Sequence, residues 1–172
     1  MREDFSVPSA QYYSGGVVSE EAVREAIRHG ELLKPCSGKT TVDEILSHID
    51  SAQVTLTASD VFLVPEERTS ARLNELPSKW RTHRREKAFV LSKGESVFCR
   101  TRERLCLPYN VVAISSNECR QPNSDVAIYA GRVLPPEFCG TLEIEVKNVG
   151  LESLTISVGD VLATVTFVSI IR

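Results

Sequence analysis

From Gln53 onward the chain alternates apolar and polar residues with a period of two. The clearest instance is GTLEIEVKNVG, where Leu142, Ile144 and Val146 fall on one side and Glu143, Glu145 and Lys147 on the other. Only a strand places every second side chain on one face, so most of this molecule is not helical. The same period recurs at 53–57, 60–64, 88–91, 96–100, 110–115, 126–130, 141–148, 153–157 and 161–170. Turn signals at Lys93-Gly94, Leu107-Pro108, Gly150 and Val158-Gly159 separate many of these runs. So many short strands predict a mainly β domain, a sandwich or barrel. Residues 65–87 are polar, hold Pro77 and a basic run, and read as a long surface loop.

Ahead of the strands the period is helical. Ser19 is an N-cap, Glu20 and Glu21 suit the first turn, Val18 and Val23 are spaced as a hydrophobic staple, and Gly30 is a stop. Thr41 with Glu44 has the spacing of a capping box before Ile45, Leu46 and Ile49. Residues 1–16, with Pro8 and a Ser14-Gly15-Gly16 end, read as a flexible arm, and 17–172 as one domain. A chain of 172 residues holds one core comfortably and two with difficulty.

Net charge of −3 argues against a nucleic-acid coat, although local arginines can still build an anion site. No apolar run is long enough for a membrane helix, and the charged N-terminus lacks the apolar core of a secretory signal. Five dispersed cysteines, with no CxxC pair, read as buried free thiols, and the expected location is cytoplasmic. Three fragments are set aside. Gly38-Lys39-Thr40 ends like a phosphate loop, but Leu33 stands where its first glycine belongs. His29-Gly30-Glu31 with Pro35-Cys36 mimics a zinc deaminase but lacks the second cysteine, so no zinc is expected, and His29 reads as a helix-end residue. The basic run Trp80-Arg81-Thr82-His83-Arg84-Arg85-Glu86-Lys87 reads as part of the surface loop.

Taken alone, Glu143 and Glu145 are the solvated side of a half-buried strand. However, the order of KGESVFCRTRERLCLPYN, SSNECR, AGRVLPPEFCG, GTLEIEVKNVG and SVGDVLATVTF resembles the dCTP deaminase and dUTPase superfamily, best after Lys93. The helix segment VSEEAVREAIRHGELL is similar to the opening helix of its deaminases. That resemblance implies a dUTPase-like distorted β-barrel or jelly-roll with one or two short N-terminal helices. It also implies a homotrimer with sites between subunits, and a deoxynucleoside triphosphate ligand accompanied by Mg2+.

On the family pattern G-x-I-x-L-E-x-x-N-x-G, Glu145 falls on the glutamate; on S-S-x-x-R, Ser116 and Arg120 keep the outer spacing, with Asn117 between. The implied chemistry is metal-free deamination of cytosine. Water needs a carboxylate to take its proton, the role of Glu145. Arg120 would hold that carboxylate, and Ser116 would position the water or bind phosphate. Arg100, Arg102, Arg104 and Arg132 are the candidate phosphate cations, and Thr164 stands where the family has a phosphate-binding glutamine.

Departures accompany these matches. Leu134 occupies the position of the aspartate that activates water in the triphosphatases, which argues against dUTP hydrolysis, and Pro136-Glu137 adds a residue. Val158 replaces a proline and Thr55 an early-strand aspartate, and the sequence ends at Arg172 where family enzymes continue into a closing tail. The reading that balances these features is a divergent, trimeric, non-catalytic protein used for binding, regulation or assembly. Its alternatives are an active dCTP deaminase and a nucleotide sensor without turnover.

Overall fold

A computed structural model of the chain describes residues 15–36, 40–65, 80–117 and 125–170. The first strands and the two helices are β1 (Gly16–Val17), α1 (Glu20–Arg28), β2 (Leu32–Pro35), α2 (Val42–Ser47) and β3 (Ile49–Asp50). The long β4 (Gln53–Pro65) follows, then β5 (Trp80–Arg84), β6 (Ala88–Leu91), β7 (Ser96–Thr101) and β8 (Glu103–Cys106). The chain continues through β9 (Val111–Ser116), β10 (Val126–Tyr129), β11 (Arg132–Leu134) and β12 (Cys139–Gly140). It closes with β13 (Glu143–Asn148), β14 (Leu154–Ser157) and β15 (Val161–Ser169).

The expected mainly β class holds. The principal sheet runs β10-β13-β7-β4-β15-β9-β11, with β1 on β15 and both β3 and β5 on β4; β12-β8-β2 and β14-β6 form two smaller sheets. Every pairing among the described residues is antiparallel. Two expected strands, 53–57 and 60–64, are one: β4 continues through a register shift between Ala58 and Phe62 against β7. That irregularity bends β4, so its first half pairs with β15 and its second with β5 and β7.

The helices form as their caps dictate. Ser19 Oγ accepts the Ala22 N–H at 3.3 Å, and Gly30, with φ of 75°, follows the His29 cap of α1. Val18 and Val23 are both buried. Thr41 Oγ1 accepts the Glu44 N–H at 3.2 Å, but the capping box is only half made. The Glu44 carboxylate turns instead to Arg102, 2.9 Å away. Arg24 locks the two helices together by donating to the carbonyls of Leu46 and Ile49 at 2.8 and 3.1 Å.

Several expectations need correction. The expected 65–87 loop is corrected at both ends: Pro65 belongs to β4, and Trp80–Arg84 is a strand paired with β4 along Val61–Pro65, while 66–79 lie outside the described residues. The thiols are not uniformly buried: Cys99 is, but Cys36 and Cys139 are exposed and Cys106 is intermediate. Strand β8 was hidden by its charges. Glu103, only 1% exposed, is tolerated inside because it accepts from the Thr57 N–H and hydroxyl at 2.8 and 2.7 Å. The expected arm lies outside the described residues except for Gly15 and Gly16, and Gly16 pairs with Ser169. Gly38, Lys39 and Cys119 also lie outside the described residues.

One core runs through the molecule, with Ile27, Leu33, Leu56, Phe62, Leu105, Ile144 and Phe167 all 2% exposed or less. Its alternation fixes which side chains of each strand face outward.

Candidate functional site

Two outward rows of polar side chains emerge from that alternation. The first crosses β10, β13 and β7, where Tyr129 lies opposite Glu145 and Glu145 opposite Phe98. Trp80, from the strand taken for a loop, meets the Phe98 ring edge-on with centroids 4.9 Å apart. Glu145 is therefore half-buried in a row of aromatic rings, and no hydrogen bond or ion pair joins its carboxylate to another described residue. Two residues along β13, on the same face, Glu143 is paired with Arg100 at 2.8 Å. The Asn148-Val149-Gly150 end of the motif has a structural role. Buried Asn148 donates to the carbonyls of Leu91 and Glu152 and accepts from the Gly150 N–H. A Cβ on Gly150 would come within 2.4 Å of the Asp125 Cβ, so only glycine fits there.

The second row crosses β4, β15 and β9. Thr55 lies opposite Thr164 and Thr164 opposite Ser116, and the Ser116 and Thr164 hydroxyls are 2.9 Å apart. Three positions scattered through the sequence thus form one line of hydroxyls. The adjacent serines have separate tasks. Ser115 is 2% exposed and its hydroxyl binds the Ala130 carbonyl and the Arg132 N–H, tying β9 to the chain beyond β10. Ser116 is exposed. Asn117 accepts the Ala130 N–H at 2.7 Å and so serves the same tie.

Among the described residues, no side-chain hydrogen bond, ion pair or ring contact joins the two rows. Thr55 of the hydroxyl row and Leu63, opposite Phe98, are eight positions apart on β4. Eight residues of extended strand span at most roughly 27 Å, and the register shift between Ala58 and Phe62 bends β4 within that stretch. Of the expected site residues, Glu145 and Arg100 share the aromatic row, and Ser116 and Thr164 share the hydroxyl row. Arg102 is 14% exposed in its side chain and committed to Glu44 of α2. Arg132 lies opposite Ser115, on the other face of the ladder from Ser116. Arg104 is in neither row; it sits on β8 beside Cys139. Arg120 lies outside the described residues. Sequence reasoning missed Phe98 and Tyr129 as neighbours of Glu145, because cross-strand register is invisible to local pattern. Trp80 carried a signal, a lone aromatic in a basic run, but was assigned to a loop.

Leu134 faces inward. It lies opposite Ala113, is 5% exposed and belongs to the core cluster.

A curled, antiparallel sheet with two short helices on one edge of its chain order is the architecture of the dUTPase-like fold. The solved structure of 2′-deoxycytidine 5′-triphosphate deaminase from Agrobacterium tumefaciens is similar, with a TM-score of 0.70 at 16% identity over 91% of this chain. This chain covers 48% of that one, about half its length. A mutant dUTPase of Staphylococcus bacteriophage 80alpha is also similar, with a TM-score of 0.50 at 14% identity, covering 81% of this chain and 90% of that one. Among curated protein sequences none matches. A family model described as dCTP deaminase-like matches residues 17–170, and the chain belongs to that family. No helix among the described residues is long and apolar enough to cross a membrane.

Proposed function

We propose that this chain is a homotrimeric, catalytically silent member of its family, which uses the β scaffold for binding or assembly rather than nucleotide turnover. The observation that carries this reading is Leu134. The resembling triphosphatases need a water-activating aspartate there, and this chain has an apolar side chain sunk into the core opposite Ala113. The β11–β9 register sets the face of that position, so no rotamer change brings it outward. Thr55 and Thr164 offer neutral hydroxyls, which can bind phosphate oxygens but cannot take a proton from water near neutral pH. A trimer is supported by the exposed apolar side chains beside the hydroxyl row: Val17, Ile114 and Val133 are 64%, 42% and 71% exposed on one sheet face. Mg2+ would arrive with a triphosphate, held largely by phosphate oxygens and water, and a row of hydroxyls suits contact with such phosphates. No group of three or more His, Cys, Asp and Glu able to cage a metal exists among the described residues.

Deamination of dCTP is the second reading, and Glu145 favours it. A half-buried carboxylate flanked by Phe98 and Tyr129 and unpaired among the described residues is available to accept a proton. In this reading Ser116 would come from a neighbouring subunit, and Arg120 from the same or a neighbouring one.

Incubation with Mg2+ and each deoxy- and ribonucleoside triphosphate, resolved by anion exchange, tests both readings. The expected result is no turnover, with a trimer in analytical ultracentrifugation. Conversion of dCTP to dUTP that disappears in Glu145→Gln would overturn catalytic silence. Saturable binding without turnover would narrow the function to a nucleotide sensor.

A further inference from the structure

The small sheet β12-β8-β2 lies apart from both rows and carries a chemistry of its own. Cys139 of β12 stands directly opposite Cys106 of β8. The Leu107 N–H donates to the Phe138 carbonyl at 2.9 Å, the bond that flanks a non-hydrogen-bonded antiparallel pair. In such pairs the Cα atoms stand about 4.5 Å apart with the side chains at their closest. Disulfides span Cα separations of about 4.4–6.8 Å, so the site accepts a bridge at the short, strained end of the range. Both residues are free thiols, Cys139 exposed and Cys106 partly so.

Two cations surround the pair. Lys34 of β2 lies directly opposite Arg104 of β8, an arrangement of like charges that costs stability unless something anionic offsets it. Arg104 is close enough to Cys139 for each to favour the charged form of the other. The thiols are consequently unequal. Cys139 is drawn below the ordinary thiol range, first by its hydrogen bond with Cys106 and then by Arg104, against a partial opposing effect of burial. Cys106 is pushed up, first by burial and then by Cys139. Cys99, by contrast, is buried and raised to about 12, which leaves it inert.

We propose that Cys139 and Cys106 are a peroxide-responsive dithiol that closes reversibly into a cross-strand disulfide. Cys139, as thiolate, attacks the O–O bond of a hydroperoxide; its sulfur takes one oxygen to become a sulfenic acid, and the other oxygen leaves as water or alcohol. The Cys106 sulfur then attacks the sulfenic sulfur, the S–O bond breaks, and water departs as the S–S bond forms. Two thiols thereby lose two electrons and two protons, and the peroxide is reduced. Strain and exposure make such a bridge readily reducible by a small-molecule thiol. Closure would fasten β12 to β8 and so restrain the turn that leads from Leu134 to Cys139. None of this depends on whether a nucleotide is bound or turned over.

The full chain, reduced and then treated with equimolar hydrogen peroxide near neutral pH, provides the test. Expected are the loss of two titratable thiols per chain and a non-reduced digest in which the Cys106 and Cys139 peptides are linked. Dithiothreitol should restore both thiols. Separate alkylation of the two peptides after peroxide, or a bridge from either residue to Cys119 or Cys36, would overturn the proposal. In Cys106→Ser, Cys139 should stop at a sulfenic acid that dimedone traps. If that variant does not fold, the wild-type digest decides alone. Arg104→Gln should slow the first step while leaving the linkage intact; an unchanged rate would remove Arg104 from the account.

Discussion

The aromatic row around Glu145 and the hydroxyl row of Thr55, Thr164 and Ser116 lie on the same long strand's two halves, yet they are built from opposite materials. One sets a carboxylate between Phe98 and Tyr129, with a charged pair, Arg100 and Glu143, next to it. The other is uncharged, three hydroxyls beside exposed valine and isoleucine. The first can move a proton; the second can only accept or donate hydrogen bonds. They sit on either side of the register shift between Ala58 and Phe62 that bends β4. The difference teaches that the carboxylate and the line of hydroxyls belong to separate halves of one sheet. A site that used both would take one row from each of two chains of the proposed trimer.

The sharpest way to test the hydroxyl side is Leu134→Asp. Restoring the family's carboxylate there should cost about 3–5 kcal/mol, because it removes a buried leucine and leaves an unpaired acid in the core. Urea denaturation would measure this loss, and no dUTP hydrolysis should appear. A stable, hydrolysing variant would mean that β11 shifts face.

Next in size is Ile114→Lys with Val133→Lys. Both side chains are exposed in the single chain, so the folded monomer should keep its urea midpoint while sedimentation falls from trimer to monomer. A trimer that survives would move the interface elsewhere, with the pairing of rows going with it.

The rows themselves can be separated by binding. If a triphosphate binds, Ser116→Ala with Thr164→Val should weaken it roughly thirtyfold in calorimetry, on the scale of about 1 kcal/mol for each of the two hydrogen bonds lost. Glu145→Gln should change affinity less than that, since it faces no phosphate in this reading. Equal losses would place both rows on the same part of the ligand.

The smallest effect concerns Glu103, which fastens β8 to Thr57 between the two rows. Burial raises its carboxyl above the ordinary value of 4.5, with the Thr57 hydrogen bonds opposing. The folded state therefore holds that proton more tightly than the unfolded chain does. The stability it contributes is fully present below the unfolded value and is lost as pH rises through the folded one. Glu103→Gln, neutral throughout, should gain on the wild type as pH rises across that window in urea titrations. A constant difference at all pH values would show that Glu103 holds its proton equally well in the folded and unfolded chain.

Much of the fold was legible because burial on one side leaves a period-two imprint. GTLEIEVKNVG, for example, buries Leu142, Ile144 and Val146 as its alternation requires. Strands β8 and β5 were not legible. β8 buries a glutamate whose partner, Thr57, is 46 positions away, and β5 is all polar apart from Trp80. Glu145, Ser116 and Thr164 were singled out by resemblance, but their division between two rows was not, because register depends on which strands become neighbours. The arginines were the weakest part. Nothing local distinguishes Arg102, spent on Glu44, from Arg100, beside the aromatic row.

By itself, then, the sequence determined the class of fold, the helix caps and the inward or outward sense of each well-patterned strand. All of these are set by interactions within a few residues and by the hydrophobic effect acting on one face. The tertiary structure alone decided which outward residues share a row, that Leu134 points into the core, and that Cys106 meets Cys139. Those outcomes follow from the pairing of distant strands, where a shift of one residue would turn every side chain to the other face.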